Sequence, residues 1–493
     1  MSRPTFQTYL FQPQLQYRIY RAIFHQSLND MVSQSTNDIA QSKYSELVRI
    51  IESGNYVRAL SILKSISWEI ISKDHALLNA YGIVLRAHGR YDESIRLYHR
   101  SLNLNSSQAG TWSNLGNALK DANFIESSIE AHIKAIKMSP SPSPKLWHNY
   151  GISLSIAGRH EDAIAAYENA LSLPNSNLSI RWDLARSLLA IKRYAEGFKN
   201  YQYRWFMEGA PNRRVLGQEW SGQKLSDEEL FIYAEQGFGD YIQCARYIPN
   251  LQKIVKNLVV EVKPELKMLM QHSFPLVKFV DFTEQTIERQ SGYIFSLLDL
   301  PKFFLEDVPT SSNGYLKPSN KNDNFSENLQ HKLHDVNRIN VGIVWSGSVT
   351  FKRNAYRSAD VSWFLNSLNL PNVNLFSLQF GPRSMDLRTE DRSIISEELL
   401  PHINNFDDTA RILRQLDLVI MTCSSVAHLC GALNKRCWLL LDASPHWLWG
   451  VDVDSSDWYS SIKLFRQKSA GNWRSVFDKV AATLMIEKKS FND

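Results

Sequence analysis

The pattern of hydrophobic and polar positions divides the chain into two parts. Up to about residue 205, apolar residues recur at helical spacing, and the pattern itself repeats. From Leu230 onward, short apolar runs alternate with stretches of helical periodicity, which is typical of an α/β sheet. The segment Tyr201–Trp220 between them reads as a junction. The sequence therefore predicts a helical region followed by an α/β region.

The helical region has a period of 34 or 35 residues. In each unit a small residue follows a large apolar one, and further small and aromatic residues recur at fixed offsets, with Pro140 and Pro174 closing two units. The pattern resembles the tetratricopeptide repeat, in which small residues let two antiparallel helices approach closely. Residues 44–73, with Gly54 and Ala59, resemble a degenerate first unit. The positions in phase are Gly82, Gly116, Gly151 and Ala185, then Ser94, Ser128, Ala163 and Gly197, then Tyr98, His132, Tyr167 and Tyr201.

Such repeats have two possible roles here. Their concave groove can hold a partner or an acceptor, or they can serve as a scaffold that stabilises the next domain. The period alone does not separate the two.

The α/β region opens with Leu230–Tyr247, LFIYAEQGFGDYIQCARY. Its apolar start predicts a buried parallel strand, and a helix is expected to begin at Asp240. A strand, a glycine turn and a helix make a ligand crevice in an open α/β sheet. The turn lacks the third glycine of the dinucleotide fingerprint, so no nicotinamide site is predicted. The turn residues are Glu235, Gln236, Gly237, Phe238 and Gly239.

Further strands are predicted along the rest of the chain, and the polar segment 319–338 is the predicted inter-domain linker. Two α/β halves joined by a linker imply a cleft between them, where ligands commonly bind. The predicted strands are 258–262, 278–280, 293–300, 341–345, 375–379, 416–421 and 437–441.

Two stretches of the second half have residues suited to a phosphate. Residues 341–357 are a strand and a small-residue loop followed by Lys352, Arg353 and Arg357, which suits a diphosphate, although a solvated basic turn is the alternative. In residues 416–431 a buried strand runs into two serines and a helix that carries a histidine. Serines at a helix start cap it and can also hold a phosphate, whereas a lone histidine there is often only a core residue.

Residues 445–459 are aromatic and acidic and could form a loop over the cleft. Trp447, Trp449 and Trp458 could stack on a sugar or base, but buried packing is expected for at least two of them.

Composition narrows the class of protein. A net charge of +5 over 493 residues is too small to indicate nucleic-acid binding. With no run of about 18 apolar residues and no secretory leader, we expect no transmembrane segment and a cytoplasmic location. Four cysteines in a chain this long fit a reducing compartment. Cys423, Cys430 and Cys437 are spaced by seven residues, but small core residues are favoured over metal ligands.

These stretches together resemble a bacterial group of tetratricopeptide proteins fused to a GT-B glycosyltransferase domain related to the heptosyltransferases. The resemblance covers Trp205 to about Leu484, and it implies two Rossmann-like halves, a nucleotide-sugar donor held mainly by the C-terminal half and no obligatory metal. The motifs that carry it are AEQGFGDYIQCARY, VGIVWSGS, FSLQFGP, DDTARILRQLDLVIM, SSVAHLCGALNKRCWLLL and DWYSSIKLFRQ.

The resemblance also implies roles for single residues. Asp240 matches the base that takes the acceptor proton, and Lys352 and Arg357 match basic residues that contact the donor phosphates. The acceptor-side loop is Glu235, Gln236, Gly237 and Gly239. The complete donor-binding set implied is Trp345, Gly347, Lys352, Arg357, Gln379, Ser424, Ser425 and His428.

The chain departs from the group at three positions on the donor side. Cys423 stands where the group has an aspartate, Phe380 where it often has a lysine, and His446-Trp447-Leu448-Trp449 where Asp-Trp-Arg-Trp is usual. Each change removes charge. The chain can therefore be catalytically degenerate or use a different donor.

The fold class that follows is a tetratricopeptide α-solenoid before a GT-B fold. The function expected is transfer of a sugar from a nucleoside diphosphate to a hydroxyl, without metal or other cofactor, with the repeats recruiting a protein or glycan acceptor. The alternatives are a degenerate binding scaffold and a sugar-nucleotide epimerase, which would leave the repeats unexplained. The predicted domains are an extension at 1–36, repeats at 37–205, an acceptor-side half at 206–335, a donor-side half at 336–486 and a tail at 487–493.

Overall fold

The computed structural model describes residues 38–207, 213–235, 237–305, 314–320, 327–335, 337–351, 353–388 and 391–487. These residues fall into two compact units that divide after Leu184. The first unit is helical. The second contains the end of the helix Ile180–Ala190, the helix Tyr194–Tyr201 and two parallel sheets. The predicted repeat region, 37–205, therefore spans this division.

The N-terminal part is a solenoid of helical hairpins that resemble tetratricopeptide repeats. Its turns use residues that accept a left-handed backbone, such as Gly54, Gly89 and Gly158. The degenerate first unit also forms a hairpin. The helices are α1 (Asp38–Glu52), α2 (Tyr56–Lys64), α3 (Trp68–Ile71), α4 (His75–Ala87), α5 (Tyr91–Leu104), α6 (Ala109–Asp121), α7 (Ile125–Met138), α8 (Pro144–Ile156), α9 (His160–Ser172), α10 (Ile180–Ala190) and α11 (Tyr194–Tyr201).

Close helix contact at the repeating glycines is confirmed. In each pair the ring of the later helix lies where a glycine Cβ would be, so that a larger residue would force the helices apart. The serine twelve residues on adds a hydrogen bond: Ser94 Oγ donates to the Gly82 carbonyl at 2.7 Å. The distances from an ideal Cβ to the ring are 2.5 Å for Gly82 and Tyr98, 2.6 Å for Gly116 and His132, and 2.5 Å for Gly151 and Tyr167.

The first sheet of the second unit has the strand order β1-β5-β2-β3-β4, and its neighbouring strands pair in parallel. Leu230 and Ile232 of β2 are buried, as the apolar run predicts. The strands are β1 (Val215–Glu219), β2 (Leu225–Tyr233), β3 (Val255–Val262), β4 (Lys278–Asp281) and β5 (Ile287–Ser296), and the helices are α12 (Phe238–Cys244), α13 (Ile248–Ile254) and α14 (Pro264–Ser273).

The second sheet has the order β11-β10-β9-β6-β7-β8, again with parallel neighbours. Helices α17 and α20 cover one face through Phe364 and Phe477, which pack edge to face. The strands are β6 (Ile339–Val344), β7 (Val373–Ser377), β8 (Ile395–Glu398), β9 (Leu418–Thr422), β10 (Cys437–Leu441) and β11 (Ile462–Arg466). The helices are α15 (Glu327–Leu333), α16 (Asn354–Arg357), α17 (Val361–Leu368), α18 (Phe406–Gln415), α19 (Ser425–Ala432) and α20 (Trp473–Glu487).

The strands at 258–262, 278–280, 341–345, 375–379, 416–421 and 437–441 are confirmed within a few residues, whereas β1, β8 and β11 were not predicted. Those three strands all lie at sheet edges. An edge strand is covered by fewer neighbours, so its sequence need not be an apolar run. Strand β1, VLGQE, is largely exposed.

Each sheet has a point at which the strand order reverses. In the first sheet, β3 and β4 follow β2 on one side and β5 returns to the other, so the reversal lies between β2 and β5. In the second sheet it lies between β6 and β9. Loops after the strands at such a point are the usual ligand-binding position of open α/β sheets. In the part of the chain that is described, no helix is long and apolar enough to cross a membrane.

We predict that His132→Phe stabilises the protein, more at low pH than at neutral pH. His132 is fully buried, and in the described structure both of its ring nitrogens are without a hydrogen-bond partner. Burial, with Lys120 and Arg86 nearby, lowers the pKa of His132 to about 3. In the unfolded state His132 has its ordinary pKa near 6.5 and becomes protonated below that pH, whereas in the folded state it stays neutral. The free energy of unfolding therefore falls as the pH drops below about 6.5.

Phenylalanine removes this effect, and the stabilisation should be larger by about 1–2 kcal/mol at pH 5 than at pH 7. Chemical denaturation at the two pH values measures it. Tyr98→Phe, at the equivalent position one repeat earlier, should show no difference between them. Equal stabilisation by His132→Phe at both pH values would contradict the prediction.

Candidate functional site

The turn after β2 is held in place by a buried carboxylate on the neighbouring strand. Glu261 accepts a hydrogen bond from the backbone N–H of Ala234 at 2.9 Å and pairs with Arg213 at 2.6 Å. The chain then turns through Gly237, whose φ of 100° favours glycine. Helix α12 begins at Phe238 with Gly237 as its N-cap residue. The expectation that the helix begins at Asp240 is therefore wrong, since Asp240 is the third residue of the helix and does not cap it.

Asp240 is half-buried and folds back over the turn. Its Oδ2 lies 2.5 Å from where a Cβ on Gly237 would be, so only glycine leaves this space. Burial raises the pKa of Asp240 to about 6, with Glu235 adding to the rise and Arg204 opposing it. A carboxylate with a pKa close to neutral pH is suited to taking up a proton.

Glu235 lies in a cluster with Arg204 at the strand-order reversal of the first sheet. Arg204 donates to Glu235 Oε2 at 2.7 Å and to Asp299 Oδ1 at 2.9 Å, and Ser296 Oγ donates to Glu235. Glu235 follows β2, while Ser296 and Asp299 follow the neighbouring β5. The predicted acceptor-side residue Glu235 is thus engaged inside the protein by an arginine.

The two sheets are joined by a close contact between Gly239 and His428. A Cβ on Gly239 would lie 2.8 Å from Cδ2 and 3.3 Å from Nε2 of His428. Glycine therefore allows α12, which follows β2 of the first sheet, to pack against α19, which follows β9 of the second sheet. This contact brings the predicted acceptor-side turn to the predicted donor-side helix.

His428 is buried among aromatic side chains. Its Nδ1 lies 3.1 Å from the Tyr459 hydroxyl, and its ring packs against Trp449 at 5.3 Å between centroids. Burial, followed by Arg246 and Arg357, lowers the pKa of His428 to about 3. The imidazole is therefore neutral near pH 7 and acts as a hydrogen-bonding group instead of a cation.

Ser424 and Ser425 lie at the start of α19, directly after β9. Ser424 is the N-cap residue, and its side chain accepts a hydrogen bond from the Val426 N–H at 3.3 Å. The position after β9 puts both serines beside the reversal point of the second sheet. Their contact with a phosphate stays a prediction.

The loop after β6, on the other side of that point, holds Arg357 against Gly347. A Cβ on Gly347 would lie 2.5 Å from Nη2 of Arg357. The guanidinium donates to Asn354 Oδ1 at 3.2 Å and lies 4.3 Å from the ring of Phe351. Arg357 is also close enough to help lower the pKa of His428. A cation, a glycine loop and a helix start thus come together here.

Trp345 and Gln379 support this loop from the core. Trp345 is fully buried, and its Nε1 donates to Asp386 at 3.1 Å. The Gln379 amide accepts from the backbone of Trp345 and Ser346 at 3.0 and 2.9 Å and donates to the carbonyls of Ser346 and Phe380. These bonds occupy both the oxygen and the nitrogen of the Gln379 side-chain amide. Direct contact of Gln379 or Trp345 with a nucleotide-sugar donor stays a prediction.

The substituted donor-side positions differ in their surroundings. Cys423 is buried, and its Sγ accepts a hydrogen bond from Trp449 Nε1 at 3.3 Å. Phe380 is 39% exposed. Trp447, Trp449 and Trp458 are all buried, which confirms packing for these rings.

Gln236 and Lys352, both predicted site residues, lie outside the described residues. The four cysteines are buried as free thiols. Among the described residues, no group of three or more His, Cys, Asp or Glu side chains is arranged to hold a metal ion.

Arg204, Ser296 and Asp299 were missed by the sequence prediction. A signal existed for two of them, because Ser296 and Asp299 lie at the end of the run 293–300, and parallel strands deliver their ends to one edge. Arg204 comes from the short 3₁₀ turn Gln202–Phe206, outside both sheets, and no sequence period marks it.

Comparison with known proteins finds a similarity to the tetratricopeptide repeat in one segment of the helical region. A family model of the tetratricopeptide repeat matches residues 144–177, which contain α8 and α9. Over a longer span, the chain is 27% identical to Protein FlbA of Caulobacter vibrioides (strain ATCC 19089 / CIP 103742 / CB 15), across 445 residues that cover 82% of this chain and 72% of FlbA.

Solved structures similar to this chain match over about a third of it. They are YrrB, described as a TPR protein with an unusual peptide-binding site (16% identity, 28% of this chain and 70% of that one, TM-score 0.25), MamA (17%, 31% and 90%, TM-score 0.28) and pilF of Pseudomonas aeruginosa (17%, 33% and 73%, TM-score 0.30).

We predict that Asp240→Asn stabilises the fold at high pH. Because the folded pKa of Asp240 is raised to about 6, the native state is destabilised by the ionised carboxylate above that pH. The neutral amide should raise the free energy of unfolding by about 1–3 kcal/mol at pH 8, and by less at pH 5, where the folded carboxyl is mostly protonated. Denaturant unfolding at both pH values measures this. A destabilised variant at pH 8 would show that Asp240 is a structural carboxylate.

Proposed function

We propose that the α/β unit is a metal-independent glycosyltransferase with a GT-B arrangement, which moves a sugar from a nucleoside-diphosphate donor to a hydroxyl. The observation that carries the proposal is the contact between Gly239 and His428. It brings Asp240, a half-buried carboxylate with a pKa of about 6, to the helix that starts beside the second sheet's reversal point.

In this proposal Asp240 takes the proton from the acceptor hydroxyl as the oxygen attacks the sugar carbon. The bond between that carbon and the diphosphate oxygen breaks, and the diphosphate leaves with the electron pair. Arg357, the helix start at Ser424 and Ser425, and the glycine loop at Gly347 would stabilise the departing charge. His428, neutral near pH 7, would donate or accept a hydrogen bond without adding charge.

The repeats supply the reason to propose a protein acceptor. Tetratricopeptide repeats present extended surfaces that bind other proteins. We propose that they recruit a polypeptide, or a partner that carries the acceptor. Comparing the intact masses of host proteins with and without this gene tests for a polypeptide that gains the mass of a sugar.

A second candidate is a degenerate domain that binds a nucleotide or a partner without transfer. It is favoured by the engagement of donor-side groups within the protein, since the Gln379 amide is taken up by the loop after β6 and Cys423 replaces a carboxylate. In this candidate the repeats still bind the proposed protein partner, but the α/β unit catalyses no sugar transfer.

We predict that Asp240→Asn lowers sugar transfer by about 100-fold or more, as expected for the loss of a general base. Nucleoside-diphosphate release from a panel of nucleotide sugars, in the presence of the acceptor found by mass comparison, measures the rate. The wild-type rate should fall as the pH drops below about 6, because Asp240 becomes protonated. Asp281→Asn changes an exposed aspartate at the end of the edge strand β4 and is a matched control that should keep the full rate. Transfer by Asp240→Asn at near the wild-type rate would exclude Asp240 as the base.

We also predict that Arg357→Gln weakens binding of a nucleoside diphosphate about tenfold or more, because a charged hydrogen bond to phosphate is lost. Isothermal titration calorimetry with UDP, GDP, ADP, CDP and dTDP measures the affinity. Arg338→Gln removes an arginine that caps the amino-terminal side of β6, where it bonds to Asn374, and should leave affinity unchanged. If the wild-type protein binds none of the five nucleotides, the transferase proposal fails and the nucleotide-sensing form of the second candidate is weakened.

A further inference from the structure

Arg204 reaches the first sheet from outside it. The residue lies in the turn Gln202–Phe206 that follows α11, and it donates to the Tyr201 carbonyl at 3.1 Å. Its guanidinium enters the edge at which β2 and β5 end, where it bonds to Glu235, Ser296 and Asp299. The place where the strand order reverses is thus filled by an arginine from the helical hairpin.

The pairing is geometrically demanding. Two nitrogens of Arg204 bond to Glu235, and two bond to Asp299 at 2.9 and 3.1 Å. The Arg204 side chain is only 9% exposed, and those of Glu235 and Asp299 are 8% and 9% exposed. A planar guanidinium can bind two carboxylates in this way, with two hydrogen bonds to each. A lysine ammonium acts as a point charge and cannot reproduce both pairs of hydrogen bonds.

The cluster is close to neutral without Asp240. Arg204 and Lys302, the latter 3.7 Å from Asp299, face the carboxylates of Glu235 and Asp299. An ionised Asp240 adds one further negative charge to a site from which water is largely excluded. Glu235 therefore opposes ionisation of Asp240 and Arg204 favours it.

We propose that Arg204 is a positioning residue for Asp240: it fixes the Glu235 carboxylate beside the Gly237 turn and thereby sets the charge that Asp240 meets. This inference rests on the proposed role of Asp240 as the base. Through Arg204, the end of the helical hairpin is connected to the chemistry of the sheet edge. The groups that interact electrostatically with Asp240 are Glu235 in the turn, Arg204 and Tyr201 beside it, and Cys244 in the same helix. Two further elements pack against α12: the 3₁₀ turn Leu297–Lys302, which carries Asp299 and Lys302, and α19, whose His428 lies against Gly239.

A purely structural role is the alternative. Arg204 would then hold the hairpin to the sheet, and its replacement would lower stability without changing how Asp240 titrates. The two roles predict different results for the pH midpoint at which Asp240 is protonated: a positioning role predicts a shift, and a purely structural role predicts none. This midpoint can be measured without any enzymatic assay.

The experiment uses the full chain and a mutant cycle. Denaturant unfolding between about pH 5 and pH 8 gives the difference in unfolding free energy between the Asp240 and Asp240→Asn forms, and its pH dependence reports the midpoint. The cycle is repeated with Arg204→Lys and with Glu235→Gln. Arg289→Lys alters another arginine–glutamate pair of the same sheet, between Arg289 on β5 and Glu229 on β2, and this pair lies before the carboxyl ends of both strands, so it serves as the control.

We expect Arg204→Lys to raise the Asp240 midpoint and Glu235→Gln to lower it, each by about one pH unit, while Arg289→Lys leaves it in place. Midpoints that agree within about 0.2 unit in all backgrounds would overturn the proposal. If Arg204→Lys does not fold, Glu235→Gln decides alone, and an unshifted midpoint overturns it. The midpoint is read without substrate, so a lack of transferase activity would defeat the proposed function and leave this result independent.

Discussion

Parallel pairing of strands is the constraint on which the candidate site depends. A parallel sheet delivers the carboxyl end of every strand to one edge, and chain reversals open that edge between two particular strands. In the first sheet this places Glu235 beside Ser296 and Asp299, and in the second it places the loop of Gly347 beside the helix of Ser424. Residues far apart in sequence meet because the hydrogen-bonded strands that precede them end at the same edge of the sheet.

Glycine connects the two edges. Gly237 leaves the space that the Asp240 carboxylate occupies, and Gly239 lets α12 lie against the His428 ring. A side chain at either position would displace a group that the proposed chemistry uses. The same physical device builds the N-terminal solenoid, where Gly82, Gly116 and Gly151 each accept the ring of the following helix. Close approach without a Cβ thus shapes both the repeats and the site.

Burial then determines the charge of the titratable groups. It keeps His428 neutral and raises the pKa of Asp240 to about 6, while Arg204 pairs with the carboxylates of Glu235 and Asp299 inside the protein. An ionised, half-buried Asp240 costs stability that asparagine would restore, a common relation between activity and stability at functional sites. On the predicted donor side, Cys423 and Gln379 form hydrogen bonds with neighbouring groups of the protein.

Periodicity alone determined the repeats and most buried strands, because a 34- or 35-residue period and continuous apolar runs are local consequences of packing. It also located Asp240, Arg357 and His428 after strands. The tertiary structure decided what the period does not encode. The edge strands β1, β8 and β11 have no full apolar run, since fewer neighbours cover them. Arg204 joins Glu235 and Asp299 only through folding, because its partners lie 31 and 95 residues further along the chain.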